Sequence, residues 1–315
     1  MAENTRETQL RGLATEWRTM TYNWRDCALY ALAVGAKGDE PQYTYENGMQ
    51  AIPTFGATPY WGTVNVTPKL PRPRAIPVLV EELLRPERSY VNLDYEFLYH
   101  RPIPAVKGSF VYRDVLTDLF DRGEGRGMAV RSQVEVFDEG GTLLCTNRCT
   151  TLFPTLGGYG GQPMPRGASP IPERDPDLVI DDHIGAAQNL LYRLTGDTNL
   201  VHVDRDVAVS RGLDGPFVHD LCAYGYVCRL ATAQLFPGHP EKLTRMFAAM
   251  KTVLYPDTPV QLHLWKLEEG KAAFRFVNAQ TGKPILDRGE LVRKNSRARE
   301  GFSSAHPEQS LWCVS

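Results

Sequence analysis

Cysteine is sparse in this 315-residue chain: there are six, and no Cys-x-x-Cys pair among them. That excludes a disulfide framework and gives no zinc or dithiol signature, so the thiols are expected to be reduced and mostly buried, as in an intracellular protein. No uncharged apolar run approaches the about eighteen residues a membrane span requires. An excess of one charge is also missing, since 35 Lys and Arg stand against 37 Asp and Glu, a formal net charge of −2. A broad electrostatic nucleic-acid surface needs surplus cations, so no nucleic-acid partner is expected. Met1–Arg11 is polar and carries acids, unlike a secretory leader. Trp312-Cys313-Val314-Ser315 fits neither prenylation nor a clear SKL-type address, which leaves a cytoplasmic or peroxisomal location open.

Apolar residues are plentiful, at 42% hydrophobic and 10% aromatic. A chain of about 300 residues can bury roughly three-quarters of its unfolded surface, so a core needs neither disulfide nor metal. Disorder throughout is excluded. The length favours two domains or one large one.

Between Phe153 and Asp182 the composition changes abruptly. Gly157, Gly158, Gly160, Gly161, Pro163, Pro165, Pro170, Pro172 and Pro176 crowd into a stretch that cannot hold a helix or a central strand. It divides the chain into residues 1–155, a linker at 156–180, and a second domain at 181–294. Residues 295–315 are polar and read as a disordered tail.

The two halves share a pattern. Met128–Phe137 alternates, turns at Asp138-Glu139-Gly140-Gly141, and continues in a second strand from Leu143 to Leu152. Ala272–Val277 alternates likewise, and a turn at Gln280–Lys283 leads into Ile285–Val292. Each half also carries a helix upstream of these strands: Cys27–Val34 with Asp26 as cap and Gly35 as stop, and Leu221–Leu235 with Asp220 as cap. The pattern is that of a duplicated α+β unit; two unrelated α+β domains would read the same way.

The chemistry concentrates in Tyr192-Arg-Leu-Thr-Gly-Asp-Thr-Asn-Leu-Val-His202, after a helical run over His183–Leu194. Thr195-Gly196 ends that helix and opens a loop bearing Asp197, Thr198, Asn199 and His202. A carboxylate and an imidazole aimed at one water form a general acid/base pair, with histidine titrating nearest neutrality. Asn199 could orient that water. By itself, though, Gly-Asp-Thr-Asn is also an ordinary turn, and a lone histidine is usually just packed.

The segment as a whole resembles the signature of the (R)-specific enoyl-CoA hydratases (hydratase 2), or MaoC-like dehydratases. Their pattern runs Y-x-L-[ST]-G-D-x-N-P-[LIV]-H, followed later by P-[IV]-[LV]-H-G-L-C; here Pro216-Phe217-Val218-His219-Asp220-Leu221-Cys222 stands in the second place. Pro53-Thr54-Phe55-Gly56, Arg101-Pro102-Ile103-Pro104, Asp121–Gly125, Gly157–Gly161 and Tyr255-Pro256 look like further landmarks of the eukaryotic two-domain members. The resemblance covers roughly residues 22–292. It implies an α+β double hot-dog, in which an antiparallel sheet in each half wraps a central helix. It implies that Asp197 and His202, supported by Asn199, activate water for syn addition to a trans-2-enoyl thioester, or the reverse dehydration. The first half would then be a non-catalytic domain accommodating the acyl chain. No cofactor and no metal are implied, coenzyme A or an acyl carrier entering only with the substrate; a homodimer is.

Three positions depart from the pattern. Leu200 replaces a proline, a mild change. Asn92-Leu93-Asp94-Tyr95 stands where the family has a His-Gly-Glu-Gln stretch that helps hold coenzyme A. Asp220 replaces the glycine whose backbone N–H is the family's oxyanion donor; the resemblance also implies an oxyanion or substrate role for Gly196 and a substrate- or coenzyme-A-binding one for Thr198. A carboxylate about 4 Å from an enolate costs on the order of 4 kcal/mol at an effective dielectric near 20. That equals the roughly 2.7–4 kcal/mol one oxyanion donor contributes. The Asp220 side chain must therefore turn away, hold a proton, or serve another substrate. Arg122 matches a lysine that contacts coenzyme A in the family, and Met250 falls near a phenylalanine lining the acyl site. His219 reads as a structural hydrogen-bonding residue, and Tyr192 and Tyr224 as aromatic core.

Three functions follow: a hydratase/dehydratase of acyl-CoA; a divergent lyase, dehydratase, isomerase or cyclase acting on a polyketide-like intermediate; and a non-catalytic acyl-binding protein, against which the intact Asp197, Asn199 and His202 count.

Overall fold

The computed structural model describes residues 9–61, 75–88, 90–165, 170–268 and 270–294. The tail from residue 295 lies outside them. The ten strands are β1 (Arg18–Asn23), β2 (Val91–Tyr99), β3 (Lys107–Asp121), β4 (Met128–Phe137), β5 (Leu143–Phe153), β6 (Leu178–Ile184), β7 (Leu243–Met250), β8 (Thr258–Lys266), β9 (Lys271–Asn278) and β10 (Pro284–Arg293). Among them lie α1 (Trp24–Ala33), α2 (Ile76–Leu84), α3 (Gln188–Arg193), α4 (Arg205–Ser210) and α5 (Asp220–Leu235). Among the described residues, no helix is long and apolar enough to cross a membrane.

All ten strands join one antiparallel sheet in the order β1-β3-β4-β5-β2-β7-β10-β9-β8-β6. Read from its two ends, this is one pattern twice: 1-3-4-5-2 in the first half and 6-8-9-10-7 in the second. A helix follows the first strand of each set, α1 after β1 and α5 downstream of β6. The halves meet through their second strands, with Asp94–Leu98 of β2 paired to Ala249–Arg245 of β7. Tyr30 and Val34 from the first helical region and Tyr224 and Val227 from α5 belong to one core cluster with the inner sheet face.

The helices are tied to each other as well as to the sheet. The last carbonyls of a helix lack partners within it. Here the second half supplies them: Gln188 Nε2 donates to Leu32 O and Ala33 O at 3.0 and 2.6 Å, and Arg229 Nε to Val34 O at 3.0 Å. Arg229 also binds Asp182 and Glu40, while Lys37 Nζ sits 2.7 Å from Asp182 Oδ1. Buried charges of both halves are thereby matched around one guanidinium.

The structure corrects three of the expected boundaries. The cap of α1 is Asn23, which accepts from Arg25 N–H at 2.9 Å; Asp26 completes the box by accepting from Asn23 N–H at 2.8 Å. The cap of α5 is His219, so Asp220 is the first helical residue and not the cap. The helical run expected over His183–Leu194 is instead the end of β6, a turn, and the short α3. Within the Gly/Pro-rich stretch, the Asp121 carboxylate accepts from the N–H groups of Gly123, Gly158 and Gly160 at 2.7–2.8 Å. Burial is the largest single effect and raises its carboxyl, but these bonds together outweigh it and draw the carboxyl down to about 2. Of the six cysteines, the five described ones are thiols and buried, as expected.

Candidate active site

Gly196 ends α3 with φ of +132°, a backbone conformation that side chains disfavour, and turns the chain into the loop. Asp197 fixes the turn by accepting from Asn199 N–H at 3.0 Å. Asn199 in turn caps the one-turn 3-10 helix Leu200–His202, accepting from Val201 N–H at 3.4 Å. Its carbonyl oxygen is therefore spent on the loop. Asn189 Nδ2 donates to His202 O at 2.7 Å and anchors the far end. These local bonds bring Asp197 and His202 together, both buried.

A third residue joins them. His219, the cap of α5, stacks on His202 with ring centroids 3.7 Å apart. Ligand atoms of Asp197, His202 and His219 all lie within 4.8 Å of one another. The tautomers follow from carbonyls, which only accept. His202 Nδ1 faces Phe217 O at 3.0 Å and must carry the proton there, which leaves Nε2 as a lone-pair acceptor. His219 Nε2 faces Asp197 O at 3.2 Å, so His219 is held as a structural donor, as expected from its position. Its Nδ1 is buried with no partner among the described residues. Each of the two stacked rings spends one nitrogen on a carbonyl, which leaves a single lone pair on each ring.

Desolvation dominates the electrostatics. It pushes His202 down to about 4, with the neighbouring His219 adding to the effect, and His219 to about 3. Both rings are neutral near pH 7. Burial raises the Asp197 carboxyl, partly offset by His202. Burial also lifts Asp220 to about 7; the Asn92 amide opposes this and the charge of Asp197 adds to it.

In the sequence, Asn92 stands out only as a departure from a pattern. Its Nδ2 donates to Asp220 Oδ2 at 3.4 Å and to Tyr95 Oη at 2.9 Å, while Thr151 Oγ1 donates to its Oδ1 at 3.2 Å. So the two departures, one from each half, touch. Tyr192 stacks near His219 with centroids 4.9 Å apart, and Tyr224 is buried with its hydroxyl donating to Ala248 O at 2.5 Å. Met250 ends β7, one residue beyond the Ala249–Asp94 pair, which sets it beside the Asn92 end of β2. Arg122 follows β3 at that same end of the sheet, three strands from Asn92, or about 14 Å at about 4.8 Å per strand. Thr198 is half-buried in the loop. A polar groove of about 440 Å³, lined by Asp94, Glu96, Arg131, Arg148 and Arg245 among others, shares no residue with this cluster.

The doubled strand order with two wrapped helices defines a double hot-dog protein. Residues 20–154 match the model of the MFE-2 hydratase 2 N-terminal domain, and residues 168–287 that of the MaoC-like domain. The chain is 31% identical over 301 residues to the 3-hydroxyacyl-thioester dehydratase Y of Mycobacterium tuberculosis, covering 89% of this chain and 96% of that one. It is 29% identical over 289 residues to the peroxisomal multifunctional enzyme type 2 of Drosophila melanogaster, of whose length it spans 46%. A crystal structure of a MaoC-like dehydratase from Phytophthora capsici superposes with a TM-score of 0.78 at 25% identity, covering 91% of this chain and 98% of that one. The chain belongs to the MaoC-like dehydratase family, in its doubled hydratase 2 form.

Proposed function

We propose that this protein is a hydro-lyase interconverting a trans-2-enoyl thioester and a (3R)-hydroxyacyl thioester, with Asp197 and His202 as its acid/base pair. The observation that carries the reading is the fixed tautomer of His202. The Phe217 carbonyl holds the proton on Nδ1, and Nε2 is left as a neutral base beside a buried carboxyl. In hydration, Nε2 accepts a proton from the water whose oxygen bonds C3, and the Asp197 carboxyl gives a proton to C2. Both groups lie on one side of the substrate, so the addition is syn. A proton passing back from His202 to Asp197 restores the pair. The N–H at the start of α5, which has no partner within its helix, receives the developing thioester oxyanion. Arg122 suits a phosphate of coenzyme A, and Met250 and Thr198 suit the acyl segment nearest the reacting carbons. None of these steps calls for a metal or redox cofactor.

The Asp220–Asn92 contact supports a second reading, a substrate other than a fatty acyl-CoA, such as a polyketide-like intermediate on a carrier. The test offers trans-2-butenoyl-CoA and follows loss of its enoyl absorbance, with chiral analysis of the product. Asp197→Asn and His202→Ala should each lower kcat/KM by about 10²–10⁴-fold while leaving the far-ultraviolet circular dichroism unchanged. Full activity in both variants overturns the assignment.

A further inference from the structure

A strand directs alternate side chains to opposite faces. On β2 the inner face is taken by Tyr95, Phe97 and Tyr99, whose rings stack in sequence. By strict alternation Asn92 would point outward. A bulge prevents this: Asn92 pairs with Thr151 and Asp94 with Thr150, so two steps on β2 answer one step on β5. The extra residue turns Asn92 inward, where Thr151 Oγ1 holds its Oδ1 and Tyr95 Oη lies on its Nδ2. With Oδ1 so occupied, the amide can only donate toward Asp220, and it does so to Oδ2. Bulges often re-aim a side chain beside an active site.

Resting on the hydratase reading above, we propose that Asp220, positioned by Asn92, is a third acid of the site and donates a hydrogen bond from its carboxyl to the substrate's acyl oxygen, beside its own backbone N–H. A carboxyl accepting through Oδ2 can present its proton only on Oδ1. As the first residue of α5, Asp220 carries that hydroxyl on the same residue as the first N–H of the helix. The groups facing it are few. Asp197 comes from the loop, Tyr192 from α3, Tyr224 from its own helix, Asn92 from β2, and His219 precedes it. None carries a positive charge near pH 7, since His219 is neutral. An anionic Asp220 would face the developing enolate, whereas a protonated one stabilises it. This answers the conflict posed by the sequence: the side chain keeps its proton.

The test binds butyryl-CoA, carbon-13 labelled at the carbonyl and lacking the reactive double bond, and records its carbonyl stretch by infrared difference spectroscopy from pH 5 to 9. In the wild type the hydrogen-bonded, lowered frequency should hold at pH 6 and relax as pH rises through about 7. Asp220→Asn should abolish that pH dependence. Asn92→Ala removes a bond that favours the charged form, so it should move the transition to higher pH, which a merely structural Asn92 would not do. With butenoyl-CoA, kcat/KM of the wild type should fall about tenfold per pH unit above the same midpoint, and Asp220→Asn should lack that limb. A pH-independent frequency in the wild type, or an unchanged transition in Asp220→Asn, overturns the proposal. If Asp197→Asn and His202→Ala stay active while the carbonyl frequency titrates, the acid/base assignment falls and the role of Asp220 stands.

Discussion

Gly225 sits in the middle of α5, where its missing side chain lets the first half approach. A Cβ built there would lie 2.9 Å from Val34 Cβ and 3.1 Å from the Tyr30 hydroxyl, and closer still to Val34 Cγ1. Alanine in place of a helical glycine ordinarily gains about 0.8–1.0 kcal/mol. Overpacking a filled core costs about 1–3 kcal/mol. Val34 is fully buried, and its Cβ cannot rotate away as a flexible side-chain end would. The upper end of that range therefore applies, and Gly225→Ala should destabilise the protein by about 1–2 kcal/mol net. Val34→Ala alone removes two carbons at about 0.8 kcal/mol each, roughly 1.6 kcal/mol. In the double variant the alanines relieve most of the contact, so the combined loss should fall short of the sum by about 1 kcal/mol, within the usual range for touching residues. Urea-induced unfolding followed by tryptophan fluorescence measures all three. A neutral or stabilising Gly225→Ala would refute the close approach of the helices. Strict additivity would refute Val34 as the group that is struck.

Two more predictions concern buried charge. A carboxyl raised by folding stabilises fully below its unfolded value of 3.8, and that contribution is lost as pH rises through the folded value, here about 7 for Asp220. Relative to wild type, Asp220→Asn should thus gain stability between pH 4 and 7 by about 1.4 kcal/mol per unit, at most about 4 kcal/mol in total, and level off above; equal urea midpoint shifts at pH 4.5 and 8 would contradict this. Arg229→Met leaves the buried Asp182 and the half-buried Glu40 without their guanidinium. It should cost about 3–5 kcal/mol in the same assay, and a loss below about 1 kcal/mol would show that Lys37 alone suffices for Asp182.

The strands that alternate cleanly are legible in the sequence. In β4, Val130, Val134 and Val136 are buried, and in β9 so are Phe274 and Phe276. The loop from Gly196 to His202 is legible as well, because its geometry is made by neighbours: a glycine with positive φ, an Asp turn and an Asn cap. β6 is hidden because an inward position is filled by Asp182, whose burial depends on Arg229 from a helix 47 residues away. A polar residue at a core position breaks the alternation that announces a strand. Asn92 is hidden for a related reason. Its direction depends on a register shift against β5, and no local feature of Val91–Tyr99 encodes that Leu93 is the residue without a counterpart there. The first turn of α5 is displaced by one residue from its expected start because both His219 and Asp220 can stand at a helix start.

The seam between β2 and β7 lies at the middle of the sheet, where a two-chain hot-dog would have its subunit boundary. Either half alone would show that strand as a bare edge, and the Ala33 and Val34 carbonyls at the end of α1 would lose the donors that the second half supplies. The chain is thus a permanent pair of unlike partners whose one-to-one ratio is set by translation and not by mass action. Dilution, which drives separate subunits apart, leaves Asn92 and Asp220 in the same molecule.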